Sequence, residues 1–330
     1  MTVERAGLTM VQALNAALAR AMSEDERVLV LGEDVGVDGG VFRVTEGLLD
    51  RFGADRVRDT PLAENAIAGL SIGVAAQGFR PVAEIQFMGF LYSAVDQLVS
   101  HASRLRWRTR GRLTCPLVVR APYGGGIHAI EHHSESTEAM FAHIPGLRVV
   151  IPSSPARAYG LLLAAIRDPD PVLFLEPKRI YRTSREEVPD SGAAAPLDSC
   201  FQLRDGDDLT LVTWGAMIVE TLATAEQLAA DGVTTDVLDV ATLSPLDMTT
   251  ILRSVEKTGR CVIVHEAALT GGFGAEIAAR LADHGLLSLR APVKRVTGYD
   301  TVMPLPRLEH LYMPSTERVL AAARETLAFS

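Results

Sequence analysis

The chain has 330 residues, 48% of them hydrophobic, 22% charged and only 5% aromatic. That length suits two cores better than one, and cores so poor in aromatics must be built from Ala, Val and Leu. A formal net charge of −9 argues against a nucleic-acid backbone as partner. Cys115, Cys200 and Cys261 stand far apart and form no Cys-x-x-Cys pair, which reads as a reducing compartment without a disulfide framework. Met1-Thr2-Val3-Glu4-Arg5 shows neither the basic nor the apolar region of a signal peptide. No apolar run approaches the ~20 residues of a membrane helix, so a cytoplasmic location is expected.

Strand-length apolar runs alternate with helical patterns throughout, which predicts an α/β fold of two doubly wound, mostly parallel-sheet domains. A capping box, Thr9 with Gln12, opens a first helix that carries Val11, Leu14, Leu18 and Met22 on one face. A strand at 28–31 ends in Gly32-Glu33-Asp34-Val35-Gly36. A glycine-rich loop and a strand-like run at 56–58 lead to Asp59-Thr60-Pro61-Leu62-Ala63-Glu64 and a helix beginning at Glu64. That helix is rich in small residues (Ala66, Ala68, Gly69, Gly73, Ala75, Ala76), which predicts close packing against a neighbour. A strand at 81–87 precedes a helix at about 90–110, and a strand at 117–120 enters the loop Tyr123-Gly124-Gly125-Gly126. A further helix, a strand at 147–151, a helix opened by Ser154-Pro155 and a strand at 172–175 complete the first half.

From residue 178 the character changes: Lys178-Arg179, Pro189, Ser191-Gly192 and Pro196 read as surface linker up to 206. Strands at 209–213, 235–240, 261–265 and 293–296 then alternate with helices at 216–230, 247–257, 274–284 and 316–328. The domains are accordingly set at 1–185 and 207–330, with 186–206 as linker.

Ligands of open α/β sheets sit beyond the carboxyl ends of strands. Glu33, Asp34, Glu64, Gln86 and the group His128, Glu131, His132 and His133 all fall at such ends. One acid there is most simply a cap or a solvated charge, and Glu64 alone would be an acid suited to a helix macrodipole. Several strand ends aimed at one region make a site. His128-Ala129-Ile130-Glu131-His132 matches the His-x-x-Glu-His pattern of some zinc peptidases, but it follows three glycines and reads as loop, without the helical face that chemistry needs. Gly271-Gly272-Phe273-Gly274-Ala275-Glu276 opens a helix like a dinucleotide fingerprint, yet Ile277 stands where the third glycine belongs, which favours a tight turn with close packing. Arg104, Arg106, Arg108, Arg110 and Arg112 point to different helix faces and read as solvated or interface charges.

Taken together, these segments resemble the beta subunit of the thiamine-diphosphate-dependent decarboxylating component of 2-oxo acid dehydrogenase complexes. The resemblance runs through 32–36, 40–45, 59–64, 84–87, 122–126, 131–136, 141–143, 149–153, 174–178 and 271–276, essentially the whole chain. It implies a transketolase-like pyrimidine-binding domain followed by a transketolase C-terminal-like domain. It implies that Glu64 activates the cofactor through its aminopyrimidine, that Phe90 stacks on that ring with Gln86 nearby, and that His133 faces the reacting carbon and aids acyl transfer to lipoamide. Glu33 would form part of an acidic tunnel joining two active sites. A structural potassium ion would be held by backbone carbonyls of Leu117, Ala165, Ile166, Asp168 and Asp170, the last standing where relatives often carry asparagine.

The resemblance also implies a magnesium-diphosphate motif, Gly-Asp-Gly followed by asparagine, and this chain lacks it. Asp205-Gly206-Asp207 has no leading glycine, and the only asparagines are Asn15 and Asn65. An alpha subunit is therefore expected to supply the diphosphate half in an assembly of two alpha and two beta chains. Residues 299–314 would lie near the surface that docks on the lipoyl acyltransferase core. The implied reaction is oxidative decarboxylation of a 2-oxo acid with reductive acylation of lipoyl groups. Segments 131–136 and 40–45 lean toward branched-chain substrates over pyruvate. An acetoin-cleaving complex, and a non-catalytic assembly scaffold, stay open as alternatives.

Overall fold

The computed structural model describes residues 7–329. The stretch Met1 to Arg5, read above for a signal peptide, lies outside them. Two compact units emerge, Met1–Tyr123 with Met140–Leu197, and Gly124–Ala139 with Asp198–Ser330. No helix among the described residues is long and apolar enough to cross a membrane.

In the first unit, strands β1 (Val28–Gly32), β2 (Val57–Asp59), β3 (Arg80–Glu84), β4 (Val118–Tyr123), β5 (Arg148–Val150) and β6 (Val172–Pro177) run in the order β5-β6-β4-β3-β1-β2. Every pair among them is parallel. Strands β4 and β6 are buried at all six positions, as a parallel sheet covered on both faces requires. The helix Met10–Glu24 begins at the expected capping box: Thr9 Oγ1 accepts the Gln12 N–H at 3.4 Å, and Gln12 Oε1 accepts the Thr9 N–H at 3.0 Å. Its buried face includes Leu14, Ala17, Leu18 and Met22 and packs on the helix Pro155–Arg167. That second helix has Ser154 as N-cap and Pro155 in its first turn, a start worth about 1 kcal/mol.

Two parts of this unit depart from the sequence reading. The loop after β1 contains a short helix, Leu48–Phe52. The helix expected at 90–110 is a broken run: a 3-10 turn Met88–Phe90, an α-helix Leu91–Asp96, a π turn Gln97–His101, a 3-10 turn Ala102–Arg104 and an α-helical turn Leu105–Arg108. The Ser103 carbonyl abuts Gly146 so closely that a Cβ at Gly146 would stand 2.2 Å from it.

The second unit holds β7 (Phe201–Arg204), β8 (Leu209–Thr213), β9 (Thr235–Asp239), a short β10 (Thr242–Ser244), β11 (Cys261–Ala268) and β12 (Lys294–Gly298). Five of these form a sheet in the order β12-β11-β8-β9-β7. It is parallel except for edge strand β7, which runs antiparallel to β9. Strand β7 lies inside the stretch read as linker; only partly buried, it gives no apolar run to announce itself. Asp247 caps the helix Met248–Thr258 by accepting the Thr250 N–H at 3.1 Å, and Gly259 ends it at φ 73°. Leu209, Leu211, Leu228, Val237, Val262, Val264 and Val319 fill the core, as the scarcity of aromatics implied.

Candidate active site

In the first unit the carboxyl ends of β1, β2 and β3 bring several of the expected residues together. Asp59 ends β2 and fixes the turn after β1, its Oδ1 accepting the Gly36 N–H at 2.6 Å and its Oδ2 the Val37 N–H at 3.2 Å. Glu64 is the first residue of the helix Glu64–Ala76 and is half-buried; Ser93 Oγ donates to its Oε2 at 3.3 Å. Glu33 follows β1 and is buried, and neither of its carboxylate oxygens meets a side-chain donor among the described residues. Burial, and then the negative charge of Glu64, push the Glu33 carboxyl above its usual range, against an opposing pull from the Ala63 backbone. Gln86 follows β3 and donates to Asp34 Oδ2 at 2.9 Å. Phe90 is half-buried, and Phe87 meets it edge-on at 5.9 Å between ring centres.

His133 belongs to the segment 124–139 of the second unit. It closes a single 3-10 turn, Glu131–His133, in which the His133 N–H donates to the Ile130 carbonyl at 3.0 Å. His128 has a left-handed backbone, φ 58°, and its ring lies 3.0 Å from the buried Glu309 carboxylate. His128 and His132 therefore share no α-helical face, as the zinc pattern would demand.

The carbonyl-bearing residues form another group. Leu117 precedes β4, Ala165 and Ile166 end the helix Pro155–Arg167, and Asp168 and Asp170 lie between that helix and β6. Carbonyl oxygens at a helix C-terminus carry partial negative charge, the chemistry a cation favours; those of Ala165 and Leu117 already accept the Asp168 and Val172 N–H groups at 3.3 and 2.9 Å. One cation is already engaged: Arg80 Nη1 donates to the carbonyls of Ile166 at 2.8 Å and Asp168 at 3.2 Å, which leaves each a second lone pair. The Asp170 side chain pairs with Arg106 at 2.6 Å, while Arg104, Arg108, Arg110 and Arg112 are exposed.

Two buried polar clusters escaped the sequence reading as sites. In the first unit Arg120 lies between two carboxylates, donating to Glu84 at 2.7 Å and to Glu176 at 2.6 and 2.9 Å, and Tyr181 donates to Glu176 at 2.6 Å. Burial pushes the Glu84 carboxyl up, with Arg120 pulling the other way. Gly40, at φ 79°, rests on this cluster; a Cβ there would come within 2.9 Å of Glu84 Oε1. The available signal was a carboxylate or guanidinium set against apolar neighbours in each of three strands that pair side by side, Glu84 in β3, Arg120 in β4 and Glu176 in β6. In the second unit Trp214 donates to Glu138 at 3.3 Å and stacks on His265 at 5.1 Å. Burial raises the Glu138 carboxyl to about 8 and lowers the His265 imidazole to about 4. Gly272 and Gly274 press on that imidazole, each so close that a Cβ would fall 2.6 or 2.7 Å from the ring. Gly272 and Gly274 thus serve close approach, and Gly271 takes φ 71° in the tight turn before them, as expected.

Models of two protein families match: the transketolase pyrimidine-binding domain over residues 6–184 and the transketolase C-terminal domain over residues 199–319. The chain belongs to this transketolase-like class of two-domain α/β proteins. Within it the chain is a member of the beta-subunit family of the 2-oxo acid dehydrogenase E1 component. It is 49% identical to the pyruvate dehydrogenase E1 component subunit beta of Bacillus subtilis over 324 residues, covering 98% of this chain and 100% of that one. The proteins of the same name from Staphylococcus epidermidis and Staphylococcus aureus are 48% and 46% identical over the same shares. A solved structure described as a split gene transketolase, inactive beta4 tetramer, has a TM-score of 0.81 at 22% identity and covers 98% of this chain and 99% of its own, a likeness of fold. All these sequence relatives are named for pyruvate, so the leaning toward branched-chain substrates finds no support among them.

Proposed function

We propose that this chain supplies the aminopyrimidine half of a thiamine diphosphate site in an enzyme that decarboxylates pyruvate and acylates lipoyl groups. The observation that carries the reading is Glu33, a buried carboxylate with no side-chain donor among the described residues, set beside Glu64 at the end of β1. A charge so placed costs several kcal/mol unless a proton or a ligand compensates it.

Bound thiamine diphosphate supplies a cationic ring that accepts the electron pair left as carbon dioxide departs. Glu64 holds the proton that sets the tautomer of the aminopyrimidine, from a helix start where Ser93 Oγ lies 3.3 Å from one carboxylate oxygen. Phe90, propped edge-on by Phe87, offers an apolar face on which a flat ring stacks and from which water is excluded. Gln86, oriented by Asp34, places an amide beside that ring. His133 gives or takes a proton as the acyl group passes to a lipoyl sulfur. Glu33 stands on an acidic route between paired sites.

An alpha subunit brings the magnesium and diphosphate half, in an assembly of two alpha and two beta chains that docks on a lipoyl acyltransferase core in the cytoplasm. The carbonyls of Leu117, Ala165, Ile166, Asp168 and Asp170 hold a structural potassium ion. The names of the relatives support pyruvate as substrate. The test is a reconstituted complex assayed for kcat/KM on pyruvate and on branched-chain 2-oxo acids. A preference for pyruvate of about tenfold, ~1.4 kcal/mol, is expected; preference for a branched acid would overturn the assignment.

A further inference from the structure

We propose that Glu309 is a positioning residue for His133: its carboxylate anchors the segment that carries the histidine. The inference rests on the role of His133 given above.

The Glu309 side chain is 2% exposed. Its Oε1 accepts the Gly126 N–H at 2.6 Å and its Oε2 accepts the His128 N–H at 2.9 Å. Gly126 and His128 both adopt positive φ, 87° and 58°, outside any strand or helix. Their N–H groups have no ladder to join, and a charged fork meets two such donors at once. Gly125 lets the chain reach the carboxylate: a Cβ there would stand 2.8 Å from Met303 Cε, 3.1 Å from Met313 Sδ and 3.3 Å from Glu309 Oε1.

What the clamp holds is a closed loop. Gly124 N–H donates to the Glu135 carbonyl at 2.8 Å, and Trp214 secures the far end through Glu138 at 3.3 Å. Between these ends the Ile130 carbonyl accepts both the His133 N–H at 3.0 Å and the Ser134 hydroxyl at 3.1 Å. A single residue, Ala129, separates Ile130 from the clamped His128. A shift at 126–128 therefore moves Ile130 and, with it, the turn that sets His133.

The test uses the assembled alpha–beta enzyme with a lipoyl domain. Glu309→Gln keeps the shape but sets an amide NH₂ against one of the two N–H donors. Acylation of the lipoyl domain should fall about tenfold to a hundredfold, the effect of misplacing a reacting group by about 1 Å. Decarboxylation of pyruvate read with an artificial electron acceptor should stay within about twofold, the same split as His133→Ala. Glu309→Asp, one methylene shorter with the charge kept, should restore part of the acylation, and it reports the same split if Glu309→Gln fails to assemble. Normal acylation by the Glu309 variants beside a selective loss in His133→Ala would overturn the inference alone. Equal loss of both half-reactions with a lowered melting temperature would also overturn it, as a structural role only. Normal acylation by His133→Ala would overturn the reading of His133 and this inference together.

Discussion

Arg120→Met is the most exacting perturbation of the first unit. The wild-type guanidinium is 1% exposed and, among the described residues, is the cation bonded to both Glu84 and Glu176, which are buried as well. Methionine fills much of the volume, so the main loss is electrostatic: two carboxylates stay in the interior without their partner. Removing one member of a buried ion pair costs about 3–5 kcal/mol. For a unit of this size that is a fall in melting temperature of about 6–20 °C, at roughly 2–4 °C per kcal/mol. The loss should depend on pH. Burial already holds Glu84 above its usual range, and without Arg120 nothing in the cluster opposes that rise. A carboxyl whose folded pKa lies above its unfolded value contributes stability that is full below the unfolded pKa and is lost as pH rises through the folded one. The variant should thus be closest to wild type near pH 5 and furthest from it near pH 8, by scanning calorimetry at matched ionic strength. A deficit that is constant across this range, or that grows on acidification, would refute the reasoning.

Other consequences can be checked individually. Glu138 is pushed up to about 8, so its contribution is lost as pH rises from the ordinary carboxyl range through that value. Glu138→Gln should flatten the pH dependence of stability between about pH 5 and 8 by up to about 1.4 kcal/mol per pH unit, read from melting temperatures; an unchanged slope would place the proton elsewhere. Gly274→Ala sets a methyl against the buried His265 ring and should destabilise by about 1–3 kcal/mol in urea unfolding. A neutral result would mean that the ring moves freely. Glu64→Gln should lower overall activity of the complex by about a hundredfold or more while the chain folds and assembles normally; full activity would favour the scaffold alternative.

Much of the fold is legible because its signals are local. The capping box at Thr9, the Ser154-Pro155 start and the all-buried runs of β4 and β6 each declare an element without help from distant residues. What stayed hidden depends on distant partners. Strand β7 exists through pairing with β9 and alternates too weakly to read as a strand among prolines and serines. The broken 90–110 run makes its close approach to Gly146 some forty residues on, a contact no local pattern announces. The candidate site divides in the same way. Glu64 and Glu33 stand out as acids at strand ends, whereas Arg120 looks like a stray charge until β3, β4 and β6 pair and bring Glu84 and Glu176 to it. Glu309 carries no motif at all, and its meaning comes from two backbone N–H groups more than 180 residues earlier.

The central claim is a split cofactor site, with the pyrimidine half on this chain and the diphosphate half on another. Titration calorimetry with thiamine diphosphate and magnesium tests it most directly, on this chain alone and again with an alpha subunit. Binding only by the pair is the predicted result. Tight binding by this chain alone, or no binding in either case, would contradict the account.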